Sequence, residues 1–480
     1  MPPKRIATLL APLGIVAVLL CYLSWFAPAR ASRADRDPRM GAAYRFERSG
    51  WIYVHLQGTP AQLGYQHGYL LAPEAEDAFK AVKLKETHFS GRPWSFFRET
   101  AEQVLWPHVD EEYRQELQGI AEGLQARGVG MDLWDVVALN AMEEVAGYYV
   151  PWLESRQSRK AKASRAPDRC SAFVATGSWT KDGKIVIAHN NWTSYLDGTR
   201  WRVMFDIVPS QGNRMLMDGF PGLIASDDDF GINASGLMVT ETTIGDFVGF
   251  DPNGKPEFMR ARKALQYARS IDDYIRIMND GNNGGYANDW LLGDRKTGEI
   301  ARFEQGLKHT RVWRTQDGYF AGANYASDPQ VLREETTLDD NDLSLSPNAR
   351  RVRWQQLLEG NKGQIDAELA GKFLADHYDT FAKRDNAPSE RTLCGHVELS
   401  PRGFKDWLPA FYPGGAVQNK VTTGALAANL SLIANMGHAC GQEFKAKPFL
   451  EKHPQFSWQA PALADLDTGG WTTFAAGDTK

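Results

Sequence analysis

The sequence predicts an α+β protein built in layers, and three observations carry that expectation. The first third has helical periodicity. From Cys170 onward the chain breaks into short apolar runs separated by turn residues. A helical pair over 257–279 then falls between two groups of those runs. The 480 residues are enough to bury a large core, and length alone suggests two or three domains. Hydrophobic content of 43% and charged content of 24% are ordinary for a globular protein. A net charge of −5 gives no reason to expect nucleic acid as a partner. The 15 Trp and 23 Phe read first as core, and only second as a transient contact with a membrane surface. No internal repeat is visible, and the oligomeric state is not legible.

At the N-terminus Lys4-Arg5 precede an apolar run from Ile6 to Phe26, followed by the small-x-small pattern Ala29-Arg30-Ala31. The expectation is an export signal over 1–31. The alternative is an uncleaved anchor, because a run of about 20 apolar residues can span a bilayer. Either reading puts the folded part in a secreted, periplasmic or other extracytoplasmic compartment.

Residues 41–152 read as a mainly helical N-terminal fragment. Arg45 to Gln57 alternates enough to be a strand. Thr59-Pro60-Ala61 looks like a helix start, and Gly64 and Gly68 would let the helix carrying His67 pack closely. Leu117, Ile120, Ala121 and Leu124 fall at i, i+3, i+4 and i+7. Gly128-Val129-Gly130 interrupts, and Asp132 is placed to cap a second helix that begins at Leu133-Trp134. Residues 153–169 hold six Lys/Arg against two acids and read as a basic linker.

At Cys170 the character changes. Ser171 to Trp179 and Lys184 to Trp192 read as two strands around Lys181-Asp182-Gly183-Lys184, Asp-Gly being a strong hairpin signal. Further strands are expected over 202–208, 214–217, around Ile224, at Ile232 and over 236–243. A hairpin over 288–304 follows the helical pair. Residues 326–348 are acidic and turn-rich, 350–377 return to helix, and the tail from 394 reads as irregular. Asp227-Asp228-Asp229 is read as an acidic turn, not a metal site.

Cysteine usage fits export. Cys21 leaves with the signal, and Cys394 and Cys440 can pair in an oxidising compartment, a bridge worth about 2–4 kcal/mol. That leaves Cys170 as the odd one. Spacing excludes a CxxC redox or zinc reading, and HExxH, GxSxG, GxGxxG and P-loop patterns are absent. No metal and no cofactor are expected. A linker that ends at Arg169, followed by a β-rich core that opens on cysteine, is what a self-cleaving precursor needs if a cut at 169/170 makes Cys170 an N-terminus.

Cys170-Ser171-Ala172, Ala188-His189-Asn190-Asn191-Trp192 and Glu241-Thr242-Thr243-Ile244-Gly245 together resemble the phospholipase B-like family. So do Tyr286-Ala287-Asn288-Asp289-Trp290, Lys420-Val421-Thr422 and His438-Ala439-Cys440, in order from about 170 to 445. The stretch Gly119 to Leu124 is similar to the related isopenicillin N acyltransferase group. The resemblance implies an N-terminal nucleophile hydrolase with a four-layer αββα sandwich made of both cleavage fragments, 170–480 forming the catalytic core.

It also implies roles. The Cys170 thiol attacks the Arg169 carbonyl, and the freed amine, with an ordinary pKa of about 7.7–8.0, then serves as base for its own thiol. Asn288 matches the family's oxyanion asparagine, with Thr243 as second choice. His189 alone reads as a structural strand residue, but the family has His at this place. The penicillin V and bile salt acylases have Asp where this chain has Trp192, so Glu241 is the candidate to orient the new amine. Arg350 stands where those acylases have a site arginine, although Arg350-Arg351-Val352-Arg353 reads as a surface helix. The implied substrate is a phospholipid acyl ester. The alternatives are amide cleavage or acyl transfer on an N-acylated small molecule or peptide, or a non-catalytic lipid-binding protein.

Overall fold

The structure, a computed structural model, describes Met1 and residues 37–158, 170–227, 230–404 and 408–480. The expected signal beyond Met1, most of the linker, Arg169 and Asp228-Asp229 lie outside the described residues. In the unit Met1–Gly41 the described residues hold a 3₁₀ turn, Pro38–Met40. The second unit, Ala42–Lys480, holds both sheets. Among the described residues no helix is long and apolar enough to cross a membrane.

The strands are β1 (Tyr44–Arg48), β2 (Trp51–Gly58), β3 (Ser171–Thr176), β4 (Val186–Ser194), β5 (Val203–Pro209), β6 (Met215–Gly219), β7 (Gly231–Asn233) and β8 (Leu237–Thr243). They continue with β9 (Asn288–Asp294), β10 (Glu299–Gln305), β11 (Thr310–Thr315), β12 (Gly318–Gly322), β13 (Gly414–Thr423), β14 (Ser431–Met436) and β15 (Thr472–Ala475). One sheet runs β1-β2-β5-β6-β7-β8-β9-β10-β11 and the other β12-β3-β4-β13-β14-β15. All pairings are antiparallel except β2 with β5, which run parallel from Ile52↔Val203 to Gly58↔Pro209.

Side-chain alternation makes the layers. In β3, Ala172 and Val174 join Ile187, Met204, Leu216, Met238 and Leu291 between the two sheets. Phe173 and Ala175 point the other way, onto Trp354, Leu358, Phe373 and Leu374. Those residues belong to helices over Ser346–Gly360 and Ala367–Leu374. On the far side of the nine-stranded sheet, Val54, Phe205, Val239 and Leu292 meet Leu63, Ala261, Leu265, Tyr274 and Ile277. Helix, sheet, sheet and helix are therefore stacked in that order, the four-layer αββα sandwich expected from the sequence. Inner strands covered on both faces, such as β2, β3 and β5, are buried along nearly their whole length, without the alternation of a half-exposed sheet.

Helix α1 (Pro60–Leu70) begins as its sequence suggests. Thr59 caps it, with Gln62 reaching back to the Thr59 amide. It crosses α2 (Glu111–Ala126) at glycine contacts: a Cβ on Gly68 would lie 2.1 Å from the Ile120 carbonyl oxygen, and one on Gly123 2.3 Å from that of Tyr65. Asp132 caps the next helix, α3 (Leu133–Asn140), in a reciprocal box with Asp135.

Other segments depart from expectation. The stretch 45–57 is two strands joined at Ser49-Gly50, where both residues have positive φ. The neighbourhood of Ile224 is a buried turn with no strand. The segment 326–348 contains a helix, Pro329–Glu335, capped by Asp328. Most consequential, the tail after 394 is not irregular. Its strand β13, ten residues long, lies in the middle of the six-stranded sheet, between β4 and β14.

His67 gives α1 a pH-sensitive attachment. Its Nε2 accepts the Gly222 amide at 2.8 Å, so the ring must be neutral. Burial, with the Arg262 charge adding to it, pushes its pKa down to about 3 from 6.5. A depressed histidine contributes stability that is present above pH 6.5 and lost as pH falls toward 3. Between pH 7 and pH 5 this group is expected to remove about 2 kcal/mol of stability. His67→Gln, which keeps an acceptor that does not titrate there, should show a correspondingly smaller loss in urea melts at the two pH values. An unchanged pH dependence would refute the assignment.

Candidate active site

Cys170 lies one residue before β3, which puts it at the mouth between β4 and the adjoining ends of β8 and β9. Its φ is 87°, a left-handed conformation that costs a non-glycine residue free energy. The residue is 1% exposed. The register β3–β4 sets Ala172 opposite His189 and Ser171 opposite Asn190. The register β8–β9 sets Glu241 opposite Trp290 and Thr243 opposite Asn288. Sulfur of Cys170, a ring nitrogen of His189 and a carboxylate oxygen of Glu241 all lie within 4.8 Å of one another. The Cys170 Sγ to Glu241 Oε1 distance is 3.8 Å. Two strand pairs, one in each sheet, thus bring thiol, imidazole and carboxylate together from positions 170, 189 and 241.

Asn288 joins them. With its amide turned to satisfy its neighbours, Nδ2 donates to Glu241 Oε2 at 2.7 Å and to the Ala287 carbonyl at 3.2 Å. The Ala287 amide in turn donates to the Tyr148 hydroxyl oxygen at 3.2 Å. Burial holds that phenol protonated, far above its ordinary pKa. Thr243 Oγ1 donates to the Tyr286 hydroxyl at 2.9 Å, so this side chain is engaged within the site wall.

Arg350 corrects its sequence reading. It is fully buried, and the exposed-helix expectation applies instead to the outer face of the same helix, α4 (Ser346–Gly360). Its Nη1 donates to the Cys170 carbonyl at 2.6 Å and to Ser171 Oγ at 3.0 Å. Its Nη2 donates to Asn324 Oδ1 at 2.8 Å, and Asn324 donates to the Thr243 carbonyl at 2.8 Å. The guanidinium also lies 4.4 Å from the centre of the Trp192 ring. Trp192 therefore forms a platform for the arginine that holds the Cys170 carbonyl.

Sequence reasoning missed Asn324, Tyr148, Tyr286 and a buried ion pair beside His189. Lys420 stands opposite His189 in the β4–β13 register, and its Nζ reaches Asp218 Oδ2 at 2.7 Å. Gln418 donates to the same oxygen at 2.6 Å, and Ser226 donates to Asp218 Oδ1 at 3.0 Å. The signal for Lys420 was its place in Lys420-Val421-Thr422, which resembles the family and was given no role. Asn324 carried no such signal; its left-handed backbone, with φ of 67°, shows only in the structure.

Cys394 and Cys440, expected as a disulfide, do come together, but both are unbridged thiols. They lie beside His377 and His396.

Comparisons with known proteins agree with the family resemblance. Residues 87–314 match the family model described as Phospholipase B. A "Putative phospholipase B-like 2" of Rattus norvegicus is 31% identical over 340 residues, covering 62% of this chain and 56% of that protein. An uncharacterised protein of Archaeoglobus fulgidus is 26% identical over 303 residues, covering 59% of this chain and 48% of that one. Phospholipase B-like 1 of Homo sapiens is 23% identical over 429 residues, covering 78% and 74%. The chain thus spans about half the length of the archaeal and rat relatives it matches. A solved variant of conjugated bile acid hydrolase from Clostridium perfringens aligns at 10% identity over 57% of this chain and 83% of that one, with a TM-score of 0.27, too loose an overlap to carry weight.

Proposed function

On the footing that this chain is a relative of the phospholipase B-like proteins, we propose that it is an exported hydrolase, self-activated at Cys170, that removes fatty-acyl groups from phospholipids. One observation carries the reading: a cysteine in a left-handed conformation at the head of β3, within 4.8 Å of His189 and Glu241.

In the uncut chain no α-amine exists at Cys170, so His189 is the base at hand for its thiol. The thiolate attacks the carbonyl carbon of residue 169, the C–N bond breaks, and the proton passes to the leaving nitrogen, which becomes the Cys170 amine. Water then opens the thioester, leaving a carboxylate on residue 169 and a free thiol. Relief of the strained φ favours the forward direction. In turnover the new amine takes the thiol proton, and sulfur attacks the acyl carbonyl. Asn288 Nδ2 keeps one hydrogen on Glu241 and turns the other, held at 3.2 Å by the Ala287 carbonyl, to the oxyanion, and the alcohol leaves with the proton. Water attacks the acyl-Cys170 thioester and releases the fatty acid. Glu241, held by Asn288, accepts from the ammonium and keeps it oriented. Arg350 fixes the Cys170 carbonyl, so that the amine and thiol keep their relative placement.

The test compares a phosphatidylcholine with an N-acyl amino acid of the same acyl chain, using the cut protein. Fatty acid released from the ester, with an acyl adduct on the fragment that starts at Cys170, is the expected result. Release from the amide alone would replace the lipid substrate with an N-acyl one. Release from neither, without an adduct, would overturn the enzymatic reading.

A further inference from the structure

Behind Trp192 lies a second cluster that the hydrolytic site does not use. His377 follows the helix Ala367–Leu374, Cys394 and His396 lie on the segment that bridges to Gly415 of β13, and Cys440 sits in the turn after β14. One ligand atom from each of the four lies within 4.8 Å of every other. We propose that His377, Cys394, His396 and Cys440 bind a zinc ion that staples these three segments together.

The spacing between donors fits that ion. Nε2 of His396 is 3.5 Å from Cys394 Sγ and 3.6 Å from Cys440 Sγ. In a tetrahedral site with Zn–S of about 2.3 Å and Zn–N of about 2.0–2.1 Å, sulfur and nitrogen ligands are separated by about 3.6 Å. The outer partners fit as well. His396 Nδ1 is 2.9 Å from Glu398 Oε1, and Glu398 Oε2 accepts from the Tyr195 hydroxyl at 2.8 Å. A carboxylate on Nδ1 fixes the tautomer that turns the Nε2 lone pair toward the sulfurs, the arrangement that supports a metal-bound imidazole. His377 Nε2 is buried and makes no hydrogen bond of good geometry, and the polar group beside the ring is the Cys440 sulfur, a weak partner that a shared metal would replace. A disulfide between the two cysteines would leave both imidazole nitrogens facing it without a partner, which is costly for buried polar groups. Two thiolates and two imidazoles with no open position describe a structural site for a borderline-soft divalent ion.

The consequence reaches the nucleophile. Gly395, between two of the ligands, lies so close to Trp192 that a Cβ there would be 2.3 Å from the indole. Trp192 in turn carries Arg350, the clamp on Cys170. The ion would brace the wall against which that clamp rests, acting by positioning and not by chemistry on the substrate.

The experiment begins with the wild-type full chain purified without chelator, its metal content read by mass spectrometry and its thiols counted in denaturant with and without reductant. About one zinc per chain is expected. After chelation, Co²⁺ added in place of zinc should give the charge-transfer absorption of thiolate-bound tetrahedral cobalt, absent in Cys440→Ser and weakened in His377→Gln. Substoichiometric zinc with a mass lower by two hydrogens would make the pair a disulfide and overturn the proposal. Substoichiometric zinc with Cys394 and Cys440 both titrating as thiols without reductant, and no cobalt band, would overturn it equally. The wild-type arm stands even if a variant fails to fold.

Discussion

Replacing Cys170 with alanine is expected to leave a single uncut chain and to lower acyl hydrolysis by at least about 10³-fold. Both losses have one cause. Sulfur is the attacking atom in the cut and in turnover, and the amine base exists only after the cut. The side chain is small and lies at the end of a strand, so the sandwich should survive the change. Intact mass of the reduced protein, wild type beside Cys170→Ala, with N-terminal sequencing of the large fragment, reads the first loss. A fragment that begins at Cys170 in wild type and is absent from the variant is the expected result. Equal cutting in both would assign the cleavage to another protease. Cys170→Ser separates chemistry from packing, because a hydroxyl in the same place is a weaker nucleophile and should cut slowly.

Asn288→Ala should lower kcat by about 10²–10³-fold while leaving KM within a few-fold, the pattern of a donor that strengthens only as the oxyanion forms. Asn288 also holds Glu241 at 2.7 Å, so a loss through misplacement of the carboxylate has to be told apart from loss of the donor. The pH profile does so. A missing oxyanion donor lowers the rate evenly across pH, whereas a displaced Glu241 moves the limb set by the Cys170 amine. A KM effect alone would mean that Asn288 binds substrate and does not stabilise the transition state.

The parts of the fold that were legible are those whose signals are local. Thr59 and Asp132 cap helices because their side chains bond amides three residues on, and Asp182-Gly183 turns a hairpin by its own dihedrals. The chain after 394 was misread because β13 opens with Gly414-Gly415 and carries Gln418, Asn419 and Lys420 inward. A strand that buries polar groups against Asp218 and Asn190 shows neither alternation nor an apolar run. Arg350 was misread for a related reason. Three arginines in four residues look solvated, and nothing in their spacing says which one is swallowed. Cys170 stood out on its own, as the odd cysteine at the head of a β-rich core, whereas His189, Glu241 and Asn288 were named from resemblance, since what brings such positions near one another is the register in two different sheets. Cys394 and Cys440 come together but not as the expected disulfide, and the two histidines beside them, His377 before Cys394 and His396 after it, could not be seen from the interval of cysteines alone.

The parallel pairing of β2 with β5 sets what a cut at Cys170 would do to the molecule's future. β2 precedes the cut and β5 follows it, and their seven paired positions lie inside one sheet. Nothing is released when the peptide bond breaks, yet the connectivity that delivered β2 to its place is gone. From then on unfolding yields two molecules, and recovery depends on their meeting, so its rate falls with dilution. The mature protein would be a structure assembled once, persisting by the height of its unfolding barrier and not by a reversible equilibrium.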